Sequence, residues 1–363
     1  VANVNRRLDV TTIAEQIKIE EVNIMKDNVL LATAEDKGRV STGHSGKKME
    51  WNVKVRRNRF NPYGDGDPQN FDRQDRRIEC SAPWRMYRQA ESVSEFEKEI
   101  NKGEAARVQF VSQVAKDLMD DVRFYFAPEL LLDGNATANA GRIDGINTFS
   151  GYTGSGAWLS PSDTYAGHST EHGSAAGGAQ ISGSYPTGVH DIEFDSYSPL
   201  FVNADHASWL TEAGGSGNEA KAWLYALRAG LIHNVNTRGA AQGKVDVLLT
   251  YAERYRKFLA VLDDKERIVV ERNAATSRLI KLGFGNVTNF DGTDITYESN
   301  VEVGRSYGWK YDQMEIRSLK SQMFWPSDDF DLERLADRYS VVFMGNCRWN
   351  PRGFLFVNEI TLL

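Results

Sequence analysis

Strict alternation marks the stretch from Lys48 to Val55. Met49, Trp51, Val53 and Val55 are apolar, and Lys48, Glu50, Asn52 and Lys54 between them are polar. That is the period of a strand with one buried face. A second alternating run, "RRIECSAPWRMYRQA", sets Ile78, Cys80 and Ala82 on one side. Between the two lies "NPYGDGDPQN", rich in proline, glycine and aspartate. Proline presets φ, glycine permits positive φ, and aspartate bonds its own backbone, so this segment is a turn. The pattern predicts a long β-hairpin over residues 37–90. An isolated two-stranded hairpin is marginal in water, so its apolar face needs a surface to lie on.

The period then changes. In "ESVSEFEKEINKGEAARVQFVSQVAKDLMDDVRFYFAPELLL", Phe96, Ile100, Val111, Val114, Leu118, Val122 and Tyr125 recur at helical spacing. Ser92 or Ser94 fits the N-cap, acids fill the first turn, and Pro128 marks the end. The predicted helix is longer than most globular helices and reads as a spine, with Gly103 as a point of bending. Residues 1–36 show no sustained period and read as an extended arm or a short supported helix. Residues 134–190 are rich in Gly, Ser, Ala and Thr and poor in apolar side chains, which predicts an exposed loop or small lobe. Beyond them "NEAKAWLYALRAGLIHN" is a helix, and Val245–Leu249 is a buried strand leading into another helix with Thr250 at its cap. Asp291-Gly292 signals a hairpin turn. Residues 307–325 and 339–349 read as long strands, and "SVVFMGNCRW" is apolar enough to be buried on both faces. The fold class is α+β.

Composition narrows the picture. The chain has 363 residues, 41% hydrophobic and 26% charged, as expected of a folded protein with more than one substructure. Its net charge is −7, yet Arg39, Lys47, Lys48, Lys54, Arg56, Arg57 and Arg59 cluster around the single acid Glu50. The hairpin therefore carries an oily face and a positive one. An acidic chain whose basic residues sit opposite its aromatic ones is a poor nucleic-acid footprint. Two cysteines, Cys80 and Cys347, are too few for a disulfide scaffold and read as buried free thiols. No apolar run reaches the ~18 residues of a membrane span, and "VANVNRRLDVTTIAEQ" has no apolar signal region.

The search for chemistry returns spacing failures. "GHSGKK" has Ser41 where a phosphate loop needs its first glycine and Lys48 where it needs Ser or Thr. "GGSGN" and "GSGAW" lack nucleophile-elbow spacing. His168 and His172 are four apart, but their setting is glycine-rich and the glutamate is misplaced for a zinc motif. The "DGDP" carboxylates, Asp65 and Asp67, are too few for a calcium loop. His44, His190, His206 and His233 form no readable triad. No catalytic residue, cofactor or metal site is expected.

The order of pieces carries more information than any motif. An arm, a basic hairpin, a spine helix, a middle lobe and closing long strands together resemble the major capsid proteins of tailed bacteriophages. The closing residues carry the resemblance furthest: "FGNVTNFDGTDITYESNVE", then "YGWKYDQMEIRSLKSQMFWPSDDFDLERLADRYSVVFMGNCRWNPRGFLFV", with Asn350-Pro351-Arg352-Gly353-Phe354 returning the chain to its lobe. The resemblance implies an N-terminal arm (1–36), an extended hairpin loop (37–90), a peripheral domain (91–133 with 307–349) and an axial domain (134–306 with 350–363). It implies a structural, non-enzymatic shell protein that assembles into hexamers and pentamers around double-stranded DNA without sequence-specific binding. Portal, scaffolding and decoration proteins would be partners, the host bacterial cytoplasm the place of synthesis, and the virion capsid the location.

On that reading the apolar hairpin face, Met49, Trp51, Val53 and Val55, lies on an adjacent copy. The basic residues Arg56, Arg57 and Arg59 meet acids there, with Glu95 and Glu99 on the spine or Asp328, Asp329 and Asp331 near the closing strands as candidates. Two alternatives stay open. One is a nanocompartment of the same fold enclosing protein cargo. The other is a β-rich hydrolase or carbohydrate-binding protein using the aromatic region around Trp158 and Tyr165.

Overall fold

The computed structural model describes residues 13–21, 28–55, 62, 64–65, 77–100, 104–150, 164–170, 180–181, 197–238, 243–263, 278–282, 284, 286–331 and 336–359. Arg56, Arg57, Arg59, most of the hairpin turn, Trp158 and His172 lie outside the described residues.

The first half of the chain holds helices α1 (13–21) and α2 (Val29–Asp36), then strands β1 (Val40–Ser41), β2 (Lys48–Lys54), β3 (Arg77–Pro83) and β4 (Arg85–Ser94). Helices α3 (Glu95–Ile100) and α4 (Glu104–Glu129) follow, then short strands β5 (Thr164–Tyr165), β6 (His168–Ser169) and β7 (Gln180–Ile181). Next come β8 (Leu200–Asn203), α5 (Ala207–Glu212), α6 (Glu219–Arg238), β9 (Val247–Thr250), α7 (Ala252–Asp263) and α8 (Arg278–Lys281). The chain closes with β10 (Thr288–Phe290), β11 (Thr293–Tyr297), β12 (Ser306–Trp309), β13 (Met314–Ser318), β14 (Phe324–Asp331), β15 (Ala336–Trp349) and β16 (Phe354–Asn358).

Strand β15 is the axis of a five-stranded sheet. Its first ten residues pair with β4 on one side, while β14 and β13 pair in succession along the other. The change of partner falls at Gly345, opposite both Arg85 and Ser318. A Cβ there would lie 2.2 Å from the Arg317 carbonyl oxygen, so only glycine lets the strands close up. Helix α4 buries Val111, Val114, Ala115, Leu118, Met119 and Phe126 against this sheet. Phe126 meets Phe324 and Phe343 edge-on, with ring centroids 5.3 and 5.0 Å away. Tyr87 pins the end of the helix: its hydroxyl donates to Glu129 Oε2 at 2.6 Å and accepts from Ile143 N at 2.7 Å. Burial and the adjacent Glu129 carboxylate raise the pKa of that hydroxyl.

The single spine helix expected to open at Ser92 or Ser94 is corrected here: the long helix begins at Glu104, after a separate short one. β4 continues to Ser94, so Glu91 and Ser92 are strand residues. Ser94 caps the short α3, its Oγ accepting from Glu97 N at 3.2 Å while Glu97 Oε2 accepts from Ser94 N at 2.9 Å. Pro128 stands in the last turn, and α4 ends one residue later. Phe96, Ile100 and Tyr125, expected in the buried stripe, are exposed.

A seven-stranded sheet, in the order β10-β11-β9-β12-β16-β8-β7, forms the second layer. Its central strands are covered on both faces. Val247, Leu249, Phe354 and Phe356 join the core shared with the five-stranded sheet, while Leu248, Leu355 and Val357 face a core built with α6 and α7 around Trp223 and Phe258. Continuous apolar runs are what burial on both faces requires. The β10–β11 turn is the expected Asp291-Gly292, with φ of 49° and 78°. The long strand expected over 307–325 is three strands: β12 in this sheet, β13 and β14 in the other. A single 3-10 turn, Tyr311–Gln313, carries the chain between the layers.

Candidate assembly surfaces

The root of the basic hairpin is β2 paired with β3, Trp51 opposite Cys80 and Val53 opposite Ile78. Met49, Trp51, Val53 and Val55 are only 1, 6, 7 and 7% exposed, all within this one chain. The expectation that a neighbouring copy covers this face is therefore corrected, because the chain covers it itself. The Trp51 ring lies 6.0 Å from that of Tyr165, and the Arg348 guanidinium sits over it at 5.9 Å. Ser81 N donates to Ala166 O at 3.2 Å, and Arg317 Nη1 to Glu50 O at 3.4 Å. The outward face of β2 leaves Lys48, Glu50, Asn52 and Lys54 exposed.

The cover comes from the small β5–β6 hairpin, inside the Gly/Ser-rich stretch expected to be an exposed loop or small lobe. Tyr165 is 1% exposed. Its hydroxyl donates to Cys347 O at 2.8 Å and accepts from Trp349 N at 2.9 Å. β4 stops pairing at Gly345, so the last residues of β15 lack a backbone partner on that side. The Tyr165 hydroxyl satisfies them in place of a strand. Asn346 Oδ1 adds to this by accepting from Cys347 N at 2.8 Å, while its Nδ2 ties the strand to Pro83 O and Asp144 Oδ2 at 2.8 and 2.9 Å. Tyr197 OH donates to Tyr165 O at 3.2 Å and accepts from the Cys80 thiol at 3.7 Å. Both cysteines are buried free thiols, and burial raises the pKa of each. In the sequence Tyr165 is one of several aromatics in a polar, glycine-rich run, beside Tyr152, Trp158 and Tyr185, and nothing local singles it out.

Large apolar side chains remain exposed at both ends of the spine. Phe96 and Ile100 are 74 and 66% exposed, and their spacing puts them on one face of α3. At the far end of α4, Phe124 and Tyr125 are exposed with their rings edge to face at 5.2 Å. Met86 projects from the sheet face opposite α4.

Acids gather where α4 meets β4. Burial raises the Glu91 carboxyl above its ordinary range, with Asp117, Asp121 and Glu97 adding repulsion. Asp121 accepts from Gln89 at 3.2 Å and Asp117 from Gln113 at 2.8 Å. Among the sequence candidates, Glu95 opens α3 and is exposed, while Glu99 lies in α3 with its side chain outside the described residues. Asp328 and Asp329 are exposed in β14, opposite Tyr339 and Arg338. Adjacent strand residues point to opposite faces, so this pair cannot serve one surface. Asp331 closes β14, and its side chain is also outside the described residues.

Among the described residues, cavities interrupt the packing in at least two places. One of about 100 Å³ lies under β4 between Tyr87, Val122, Phe126 and Phe343. The other, about 310 Å³, lies where the end of α4 meets the loop before β12, and Asn139, Asn147 and Arg305 line it. Arg305 is committed there, donating to Asn147 Oδ1 at 2.6 Å and Ser150 Oγ at 3.2 Å. Among the described residues no cluster of His, Cys, Asp and Glu is arranged to hold a metal, and no helix is long and apolar enough to cross a membrane.

No family model and no curated protein matches this sequence. Solved structures do. The chain is similar to a protein of the Cyanophage A-1(L) capsid asymmetric unit, with TM-score 0.55 and 15% identity over 89% of this chain and 90% of that one. It is also similar to a protein of the capsid of an empty GTA particle, with TM-score 0.51 and 10% identity over 90% of both chains. Over about nine-tenths of its length, this chain has the fold of the major capsid proteins of tailed phages.

Proposed function

We propose that this chain is the major shell protein of a tailed bacteriophage, a structural protein that self-assembles into the hexamers and pentamers of an icosahedral capsid around double-stranded DNA. One observation carries the reading: the capsid-protein fold extends over about nine-tenths of the chain. The five-stranded sheet with α4 would be the peripheral domain, and the seven-stranded sheet with α6 and α7 the axial domain at capsomer centres. The exposed pair Phe96 and Ile100 supports the reading, since clustered apolar side chains facing water mark association surfaces. The acidic strip of Glu91, Asp117 and Asp121 is a natural counterpart for a basic arm from an adjacent copy, Arg56, Arg57 and Arg59 included. Synthesis in the bacterial cytoplasm and cooperation with portal and scaffolding proteins follow from that role.

The test is electron microscopy of the full chain expressed alone and with a candidate scaffolding protein. Closed shells are expected, and compact monomers under every condition would overturn the proposal. Nuclease-protected DNA inside virion-derived shells separates a virus capsid from a nanocompartment filled with protein.

A further inference from the structure

Strand β4 is an edge of the five-stranded sheet. It pairs with β15 along its whole length, from Arg85 opposite Gly345 to Ser94 opposite Ala336, without a break in register. In an antiparallel ladder every second residue turns its N–H and C=O away from the partner strand. Among the described residues, no backbone group meets that outer side of β4. An unpaired row of this length is a template for another strand. The surroundings say what kind. Tyr87, Gln89 and Glu91 face α4, while Met86, Arg88 and Ala90 form an exposed row on the other face. On the α4 side lies the cavity of about 100 Å³, with Val122, Tyr125 and Phe126 in its wall. Tyr125 stands at its edge, 63% exposed. Asp121 lines it too, and Asp117 and Glu91 are close by.

We propose that this edge receives the chain's own residues 2–11 as an added strand. Residues 1–36 share no single period, but within this run Ala2, Val4, Leu8 and Val10 alternate with Asn3, Asn5, Arg7, Asp9 and Thr11. Only Arg6 interrupts the apolar side. That is the pattern of a strand with one face to bury. Laid beside β4, its apolar side faces α4, and its polar side continues the exposed row of Met86, Arg88 and Ala90. The interruption has a counterpart. Same-face residues of a strand lie about 7 Å apart, and one helical turn rises about 5.4 Å. With Leu8 in the cavity at Val122 and Tyr125, Arg6 therefore reaches Asp121. The other carboxylate of the lining, Glu129, is already held by Tyr87 and Arg142. The arm also starts from the right place. Its anchor, α1, accepts from Met323 N through Glu21 Oε1 at 3.2 Å, and the next residue, Phe324, lines the same cavity. Residues 1–12 precede α1 and span up to about 40 Å when extended.

Hydrogen exchange of the unassembled full chain, read over Arg85–Ser94 by mass spectrometry, tests this without reference to shell formation. With the edge covered, all the β4 amides are protected. With it open, the outward half exchanges at the rate of an unstructured chain. The wild-type chain should show full protection that is unchanged on dilution. Leu8→Asp should speed exchange of the outward half on the order of ten- to a hundredfold and leave the inward half, bonded to β15, unchanged. Arg6→Glu should speed it by a smaller factor, and adding Asp121→Arg to Arg6→Glu should restore protection, which damage to the arm alone would not allow. Free exchange of the outward half in the wild-type chain overturns the proposal. So does unchanged protection in Leu8→Asp, or protection that falls on dilution, which would assign the edge to another copy. A charge swap that restores nothing overturns the pairing of Arg6 with Asp121.

Discussion

Replacing Phe96 and Ile100 by serine should separate assembly from folding. Both side chains are exposed in the single chain, at 74 and 66%, so the variant removes little from the subunit's own core. Serine costs a few tenths of a kcal/mol in helix propensity, and surface changes of this kind stay within about 0.5 kcal/mol. Fully burying a Phe or Ile side chain is worth about 1.5–3 kcal/mol. Scaled by the fraction still exposed, each would contribute about 1–2 kcal/mol when a neighbour covers α3. Together the pair amounts to about 2–4 kcal/mol per contact, or roughly thirty- to several-hundredfold in association. Light scattering against subunit concentration reads the assembly threshold, and thermal unfolding of unassembled subunits reads the fold. The threshold should rise by that factor while the melting temperature stays put. A normal threshold would refute the assignment of α3 to an interface. A large drop in melting temperature would show that the two side chains already support the monomer.

Two further changes test the packing that positions these surfaces. Tyr165→Phe leaves the Cys347 carbonyl and the Trp349 N–H without the hydroxyl that serves them. It should cost about 2–4 kcal/mol in denaturant unfolding, and a loss below about 0.5 kcal/mol would mean that the end of β15 does not depend on the β5–β6 hairpin. Gly345→Ala puts a methyl group 2.2 Å from the Arg317 carbonyl oxygen. It should reduce soluble yield and lower the midpoint of unfolding, whereas full yield with an unchanged midpoint would contradict the tight crossing of β13, β15 and β4.

Much of the architecture is legible in the sequence where one physical signal dominates. The β2 alternation, the apolar face of α4, the Asp291-Gly292 turn and the continuous apolar run of β15 each follow from a single period or turn chemistry. The rest is hidden for identifiable reasons. Helix α2, "VLLATAED", is buried all round from Val29 to Ala34, so it carries no clear amphipathic period, and the sequence there reads no more closely than as an extended arm or a short supported helix. The boundary between β4 and α3 is masked because Phe96 and Ile100 extend the helical spacing of α4 backwards while remaining exposed themselves. The hairpin face was expected to seek another copy because nothing local could cover it. Its cover, Tyr165, comes from a polar stretch that composition alone marks as loop. The Asn28 side chain donates to Glu298, 270 positions away, and no spacing rule reaches that far.

The central claim is that this chain encloses space by binding copies of itself, and imaging of the purified protein tests it most directly. Cryo-electron microscopy of the full chain, expressed with a scaffolding protein, should show closed icosahedral shells. In them the seven-stranded sheets should meet at the capsomer centres and α3 should be covered by an adjacent copy. Monomers alone, or shells in which Phe96 and Ile100 still face solvent, would contradict the account.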